Sequence, residues 1–367
     1  MYLDITNPKS LADAIAKHAD GKAALICVAE HSEIQISYLI TELNKRAIPF
    51  AGGIFPKVIY GRKTFDKGIV VSYFDTLVKD GIFMIRSLDS MDFDIPTMEL
   101  KKDSSYCMLT FVDGLAPNIS YYISELYKQF GNKTLYMGGG AGSLSLKQQP
   151  AVFNSEGVFQ NAAVCMLLEK KSAAGVKHGW QKVAGPVIAT KTTRNIINQL
   201  NWEPAFDIYR TALETSQNKT VSSANFFNEA KSYPFGILKE GTEYVVRDPI
   251  STDNSGALVC VGEVPENTML DILVGDKDAL IAAASEAAKT SVNALKNPEQ
   301  AFVIDCISRV LFLEDEFEDE LAAVAKELTK ANMIKAINGV LTLGEIASQG
   351  NGYLEFYNKT IVVGLFE

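Results

Sequence analysis

The residue types best suited to chemistry gather where apolar runs end. Asp305, Cys306 and Arg309 close the run Gln300–Ile307, and ligands of open α/β sheets collect at strand ends. An arginine just past an apolar strand either closes an ion pair or reads a carboxylate through two parallel N–H groups. Glu345 follows Gly344 beyond a second run, so Arg309 and Glu345 either pair with each other or face a ligand. Arg247, at the end of Tyr244–Arg247, offers another cation. Cys306 acting as a nucleophile would need a nearby histidine or helix N-terminus, and the sequence supplies no specific histidine. The chain has 3 histidines, at 18, 31 and 178, without the spacing of a two-histidine metal site. His178 or His31 could serve as the single axial ligand of a haem; otherwise His178 is a turn residue bonded to backbone. The glycine run Gly138–Gly142, centred on Gly139 and Gly140, follows a strand. Backbone N–H groups of such a loop can cradle an anion. No Lys-Ser/Thr pair follows it, and Ser143 breaks the dinucleotide-binding spacing. A tight turn or a close approach of strands explains the run equally. Nucleophile-elbow, zinc-protease, kinase and deaminase signatures are missing from the sequence, so a binder is expected rather than an enzyme.

The elements that must position these residues recur in a fixed order. Ala23–Glu30 is a continuous apolar run of strand length. Ile36–Arg46 then carries Ile36, Leu39, Ile40 and Leu43 at helical spacing. A short strand ends in Gly52-Gly53, and Lys57–Tyr60 and Gly68–Phe74 follow. The order returns with Ser105–Val112, Ile119–Phe130, Thr134–Met137 running into glycines, Ala151–Asn154 and Ala162–Leu168. It returns again with Gln300–Ile307, Glu316–Leu328, Ile334–Ile337 leading to Gly339, Tyr353–Tyr357 and Thr360–Leu365. Each copy reads strand, helix, strand, glycine loop, strand, strand, with periods of 2 and 3.6 alternating. Units of this kind stack by burying a shared face, although the same order also arises without duplication. The class is α/β, with α+β open, and short links between the terminal strands predict mixed sheets covered by helices. Pro204–Leu213 and the Ala-rich Asp278–Leu295 read as helices. The polar stretch Ser216–Ser223 divides the chain into 1–217 and 218–367.

Bulk properties narrow the partners. The 367 residues are 47% apolar with a formal charge of −9, which argues against nucleic acid and anionic membranes as default partners. The N-terminus has no secretory pattern, and apolar runs are too short to span a bilayer. The 5 cysteines each lie in an apolar run, as buried free thiols in a reducing cytoplasm would. No spacing suits a structural zinc.

Four segments resemble the FIST family of intracellular sensory domains. They are Thr134–Gly142 with the strand at Ala162–Glu169; Gly175–Pro186, reading GVKHGWQKVAGP; Asp305–Arg309 before an acidic helix; and Gly339–Glu345 with Leu354–Leu365. The resemblance implies N- and C-terminal FIST portions at 1–217 and 218–367 and a cytoplasmic module that binds a small ligand, with amino acids proposed for the family. An amino acid needs a cation for its carboxylate and an anion for its ammonium. Arg309 or Arg247 could supply the first, and Asp305 or Glu345 the second. With no output region in the chain, the resemblance implies signalling through a separate partner such as a kinase. A free-standing branch of the family associated with haem and nitric oxide, and a thiol-dependent enzyme, are the alternatives.

Overall fold

The computed structural model describes residues 1–238, 244–330, 337–348 and 354–367. Three of its sheets share one plan. At the centre of each is a parallel pair with one helix, or in the third sheet two, between its strands in the chain: Ala23–Ala29 with Phe50–Phe55, Tyr106–Asp113 with Thr134–Ala141, and Gln300–Cys306 with Ile337–Thr342. Continuous apolar runs suit strands buried on both faces, and every residue of Ala23–Ala29 and Tyr106–Asp113 is buried. Ile69–Phe74, Ala163–Leu168 and Ile361–Phe366 flank the first member of each pair antiparallel. The strand beside the second member comes from a different unit. Lys57–Tyr60 of the first unit pairs with Ile337–Thr342 of the third; Val152–Asn154 of the second pairs with Phe50–Phe55 of the first; Glu345–Ser348 of the third pairs with Thr134–Ala141 of the second. The exchange closes a ring, so each repeated unit is spread over two sheets.

The helices follow their apolar spacing. Ile119–Phe130 buries Ile119, Tyr122, Ile123, Leu126 and Phe130. Phe317–Lys330 buries Phe317, Leu321, Val324 and Leu328, and with them Glu320. Lys277–Ala294 begins at Asp276, whose side chain accepts the N–H of Ala279 at 2.9 Å.

The glycines expected in loops lie inside strands. Gly52, Gly138 and Gly339 occupy matching positions, opposite Ile26, Thr110 and Val303 in the parallel pairs. A Cβ on any of the three would collide with the main-chain oxygen of that opposite residue. Close approach of strands, and not a phosphate-cradling loop, is what requires glycine there. The expected strand Ile334–Ile337 falls largely outside the described residues, as does Tyr353; the observed strands are Ile337–Thr342 and Leu354–Tyr357.

A fourth sheet closes into a barrel: Gln181–Thr193, Thr268–Val274, Phe235–Ile237, Val245–Thr252, Leu258–Val261 and Ile196–Leu200, which pairs back with Gln181–Thr193. Helix Ala205–Gln217 buries Tyr209 and Leu213 against it. The barrel and the sheet built on Gln300–Cys306 both combine strands from either side of residue 217. Among the described residues no helix is long and apolar enough to cross a membrane.

Because the obstructing atom is backbone, Gly138→Ala should cost about 1–3 kcal/mol or more, in the range of overpacked cores, and Gly52→Ala and Gly339→Ala should behave alike. Denaturant unfolding measures this, and a loss below roughly 0.5 kcal/mol, the scale of a neutral surface change, would contradict the strand-approach account.

Candidate functional site

Arg309 lies in the first turn of helix Ile307–Leu313 with no solvent exposure. Its guanidinium grips Glu320 with two parallel bonds, Nε to Oε1 at 2.9 Å and Nη2 to Oε2 at 2.7 Å. The remaining N–H groups go to main-chain oxygens of Leu280 at 3.0 Å, Lys359 at 3.1 Å, and His178. All five donors of the group are thereby used. Asp305 Oδ1 stands 3.4 Å from Nε. Burial alone would lower the pKa of Arg309, and the charges of Glu320 and Asp305 more than reverse it.

The cluster holds more carboxyls than cations, and burial favours protonating the surplus. Burial, and then the charge of Glu320, push Asp305 well above the usual carboxylate range against the pull of Arg309. Burial raises Glu345 to about 8, opposed by bonds from Thr342 Oγ1 at 2.8 Å and the N–H of Thr360 at 3.2 Å. Both shifts favour the protonated acids, and in that direction the Arg309–Glu320 pair is left neutral, the arrangement a low-dielectric interior tolerates.

The motif around His178 serves this cluster through its backbone. His178 is 3% exposed, gives its main-chain oxygen to Arg309, and accepts the N–H of Trp180 at Nδ1, 2.8 Å away. Trp180 Nε1 donates to the oxygen of Lys359 at 3.3 Å, and the Lys359 ammonium lies 4.7 Å from the Trp180 ring centroid. The turn Asn358–Thr360 is thus held from beneath by Arg309, Trp180 and Glu345.

Above this turn opens a cavity of about 580 Å³. It sits at the C-terminal ends of the central strands of two sheets, where Gly114–Ser120 follow Tyr106–Asp113 and Cys306–Ser308 follow Gln300–Cys306. Barrel residues Asp248, Ile250 and Cys260–Glu263 close another side, and Leu343, Gly344, Phe356 and Asn358 form much of the floor. Leu144, Leu146, Phe227 and Leu311 ring the mouth, each at least 39% exposed. The walls are mainly apolar with a few polar groups, the composition of a small-molecule site. Asp248 binds Lys359 Nζ through Oδ2 at 3.0 Å and takes a longer bond from Ser308 at 3.4 Å. Burial raises its pKa, and Lys359 and Ser308 draw it back. Asp248 Oδ1 and Asn358 Nδ2 are buried and have no hydrogen-bond partner among the described residues.

Of the residues singled out from the sequence, Cys306 lines the cavity. Burial pushes its thiol far up, and the charge of Glu345 adds to this, the direction opposite to nucleophile activation. Its position does not match the other strand cysteines: relative to the glycine-facing residues Ile26, Thr110 and Val303, Cys306 corresponds to Asp113, not to Cys107 or Cys27. Arg309, Asp305 and Glu345 lie beneath the floor, and Glu320 rather than Glu345 takes the guanidinium. Arg247 donates to the main-chain oxygens of Glu263, Val246 and Phe356. Gly139 and Gly140 are strand residues outside the lining, and no histidine lines the cavity. An axial imidazole for a haem in this cavity is therefore not provided. Among the described residues no group of three or more His, Cys, Asp or Glu side chains could hold a metal ion.

Sequence reasoning missed Asp248, Asn358, Glu320 and Lys359. Glu320 had a signal: it falls three residues after Phe317 and four before Val324, on the apolar face of its helix. Asn358 falls between the expected strands Tyr353–Tyr357 and Thr360–Leu365, the place of a plain turn residue, and Asp248 lies just past the end of the run Tyr244–Arg247.

Comparison with known families finds a FIST N domain at residues 23–203 and a FIST C domain at residues 205–348. The two matches meet near Pro204, ahead of the helix Ala205–Gln217. No curated protein matches the chain.

Two outcomes follow from the buried cluster. Arg309→Met strands Glu320 beside Asp305 and should cost about 3–5 kcal/mol, the usual loss when one partner of a buried pair is removed; pairing it with Glu320→Leu should restore much of that in urea unfolding. Glu345 has a folded pKa near 8 against an ordinary 4.5, so the folded state binds the extra proton. Its contribution is fully present below the lower value and is lost as pH rises toward the upper one, by about 1.4 kcal/mol per pH unit at most. Glu345→Gln should flatten the stability profile across that window; an unchanged slope would show that Glu345 is not the titrating group.

Proposed function

The chain belongs to the FIST family, and on that premise we propose that it senses a small molecule inside the cell by binding it in the cavity above Asn358. FIST domains are associated with small-ligand sensing in signal transduction. The observation that carries the reading is the pair of unpartnered buried atoms, Asp248 Oδ1 and Asn358 Nδ2, on residues lining an apolar-walled cavity. Native interiors rarely leave such atoms open, and a ligand's polar end would satisfy both. The apolar walls would take its body. The portions 1–217 and 218–367 both contribute to the lining, so occupancy favours one relative arrangement of the two. A separate partner, a kinase for example, reads that arrangement.

An amino acid is the second reading, and Arg194 favours it. This exposed arginine lines the cavity and could meet a carboxylate while Asp248 meets the ammonium. Arg309 and Arg247 spend their bonds on the chain itself and are not part of this arrangement.

Thermal unfolding against amino acids, other metabolites and haemin, one compound at a time, tests the proposal. A ligand at about 100 times its dissociation constant adds about 2.7 kcal/mol. Asp248→Ala or Asn358→Ala should abolish the shift while leaving the folded protein; a shift that survives both variants would place the ligand elsewhere.

A further inference from the structure

We propose that the cavity recognises a neutral head group that donates one hydrogen bond and accepts another, the chemistry of a primary amide or a lactam, carried on an apolar body. The inference rests on the cavity being the ligand site. Asp248 Oδ1 is an open acceptor and Asn358 Nδ2 an open donor, and their side chains belong to residues only 4% and 1% exposed. Both residues line the cavity. They are joined through Lys359, which follows Asn358 in the turn and sets its ammonium 3.0 Å from the other oxygen of Asp248.

That contact decides the charge of the ligand. Lys359 is 1% exposed, so the negative charge of Asp248 is matched by a cation buried with it. An alkylammonium placed on Oδ1 would bring a second cation beside Lys359, in apolar surroundings, and the other carboxylate of the lining, Glu263, is only partly buried, where water weakens its pull. A carboxylate there would face Asp248 directly. The arginine among the lining residues, Arg194, is exposed, so water competes for its charge. Glu263, also in the lining, adds a negative group and makes the cavity less hospitable to an anion. Burying an unmatched charge is far more costly than burying a neutral group whose hydrogen bonds are made. An amide N–H reaching Asp248 Oδ1 and its carbonyl accepting from Asn358 Nδ2 closes both open atoms and leaves the Asp248–Lys359 pair balanced. Leu115, Ile250, Leu343 and Phe356 enclose the body.

Calorimetric titration of the full chain at pH 7 with four compounds of one carbon skeleton tests the head group: 4-methylpentanamide, 4-methylpentylamine, 4-methylpentanoate and leucine. The amide should bind at least about tenfold more tightly than the other three, and Asp248→Leu and Asn358→Leu should each remove that advantage. Tighter binding of the amine, the acid or leucine overturns the head-group assignment, as does the absence of binding by the amide. Leu311→Trp, at the exposed rim, separates this failure from failure of the site itself. A fluorescence response to a charged compound but not to the amide keeps the cavity as the site and discards the neutral head. No response to these four or to any metabolite that stabilises the protein removes both.

Discussion

The buried guanidinium of Arg309 is the constraint on which the site depends. A charge with no access to water survives in a protein only if each of its donors is met. Meeting those of Arg309 requires five stretches of chain to converge: its own helix, the acidic helix through Glu320, the Ala-rich helix through Leu280, the turn at His178 and the turn at Lys359. None of these stretches could shift by an ångström without opening a donor. The most conspicuous sequence motif, GVKHGW, is explained in these terms. His178 contributes a main-chain oxygen and Trp180 a ring that caps the Lys359 turn. What the motif builds is the support for Asn358, which lines the cavity, and for the ion pair between Lys359 and Asp248, another lining residue.

The strand exchange sets the frame in which the cavity lies. Because each unit lends a strand to another unit's sheet, the three sheets are tied to one another instead of standing separately. In the second and third units the C-terminal ends of the central strands border the cavity. In the first unit the corresponding end is closed by the chain itself, where Glu30 accepts the N–H of Leu144 at 3.0 Å. The general rule that ligands collect at strand ends thus selects two of three equivalent positions, and the barrel supplies the remaining wall.

The three units were legible in the sequence because their strands are continuous apolar runs and their helices carry one clean apolar face. The barrel was not. Gln181–Thr193 alternates between exposed and half-buried residues with few buried positions, so neither a period of 2 nor a long apolar run marks it. The glycine run was visible, but whether its glycines turn a loop or admit a neighbouring strand depends on a contact between Gly138 and Thr110, 28 residues apart in the chain. Sequence reasoning also reached a strand end that borders the cavity, through Asp305, Cys306 and Arg309, and yet assigned the outward role to the charged residues. Bonding separates the two cases: Arg309, Glu320 and Glu345 spend their bonds on the chain, and the open atoms on lining residues belong to an aspartate next to a proline and an asparagine in a turn. Those residue types carry no signal of their own, because any strand end or hairpin uses them.

A sensor must bind its ligand more tightly in one conformation than in another, since equal affinity shifts no population. In this fold the two sides of the cavity differ in how firmly they are held. The floor is fixed by Arg309 and its five segments, whereas the mouth is formed by Leu144, Leu146, Phe227 and Leu311, side chains that remain substantially exposed. A ligand whose head is seated on the rigid floor and whose body reaches the mouth would gain contacts only if the mouth closes over it, burying those four side chains and the ligand's apolar surface together. At about 25 cal/mol per Å² of apolar surface removed from water, even partial closure amounts to a difference of a few kcal/mol between open and closed arrangements. That is the scale needed to convert occupancy into a change of surface, and it falls on the segments from the N-terminal and C-terminal FIST portions that meet at the rim.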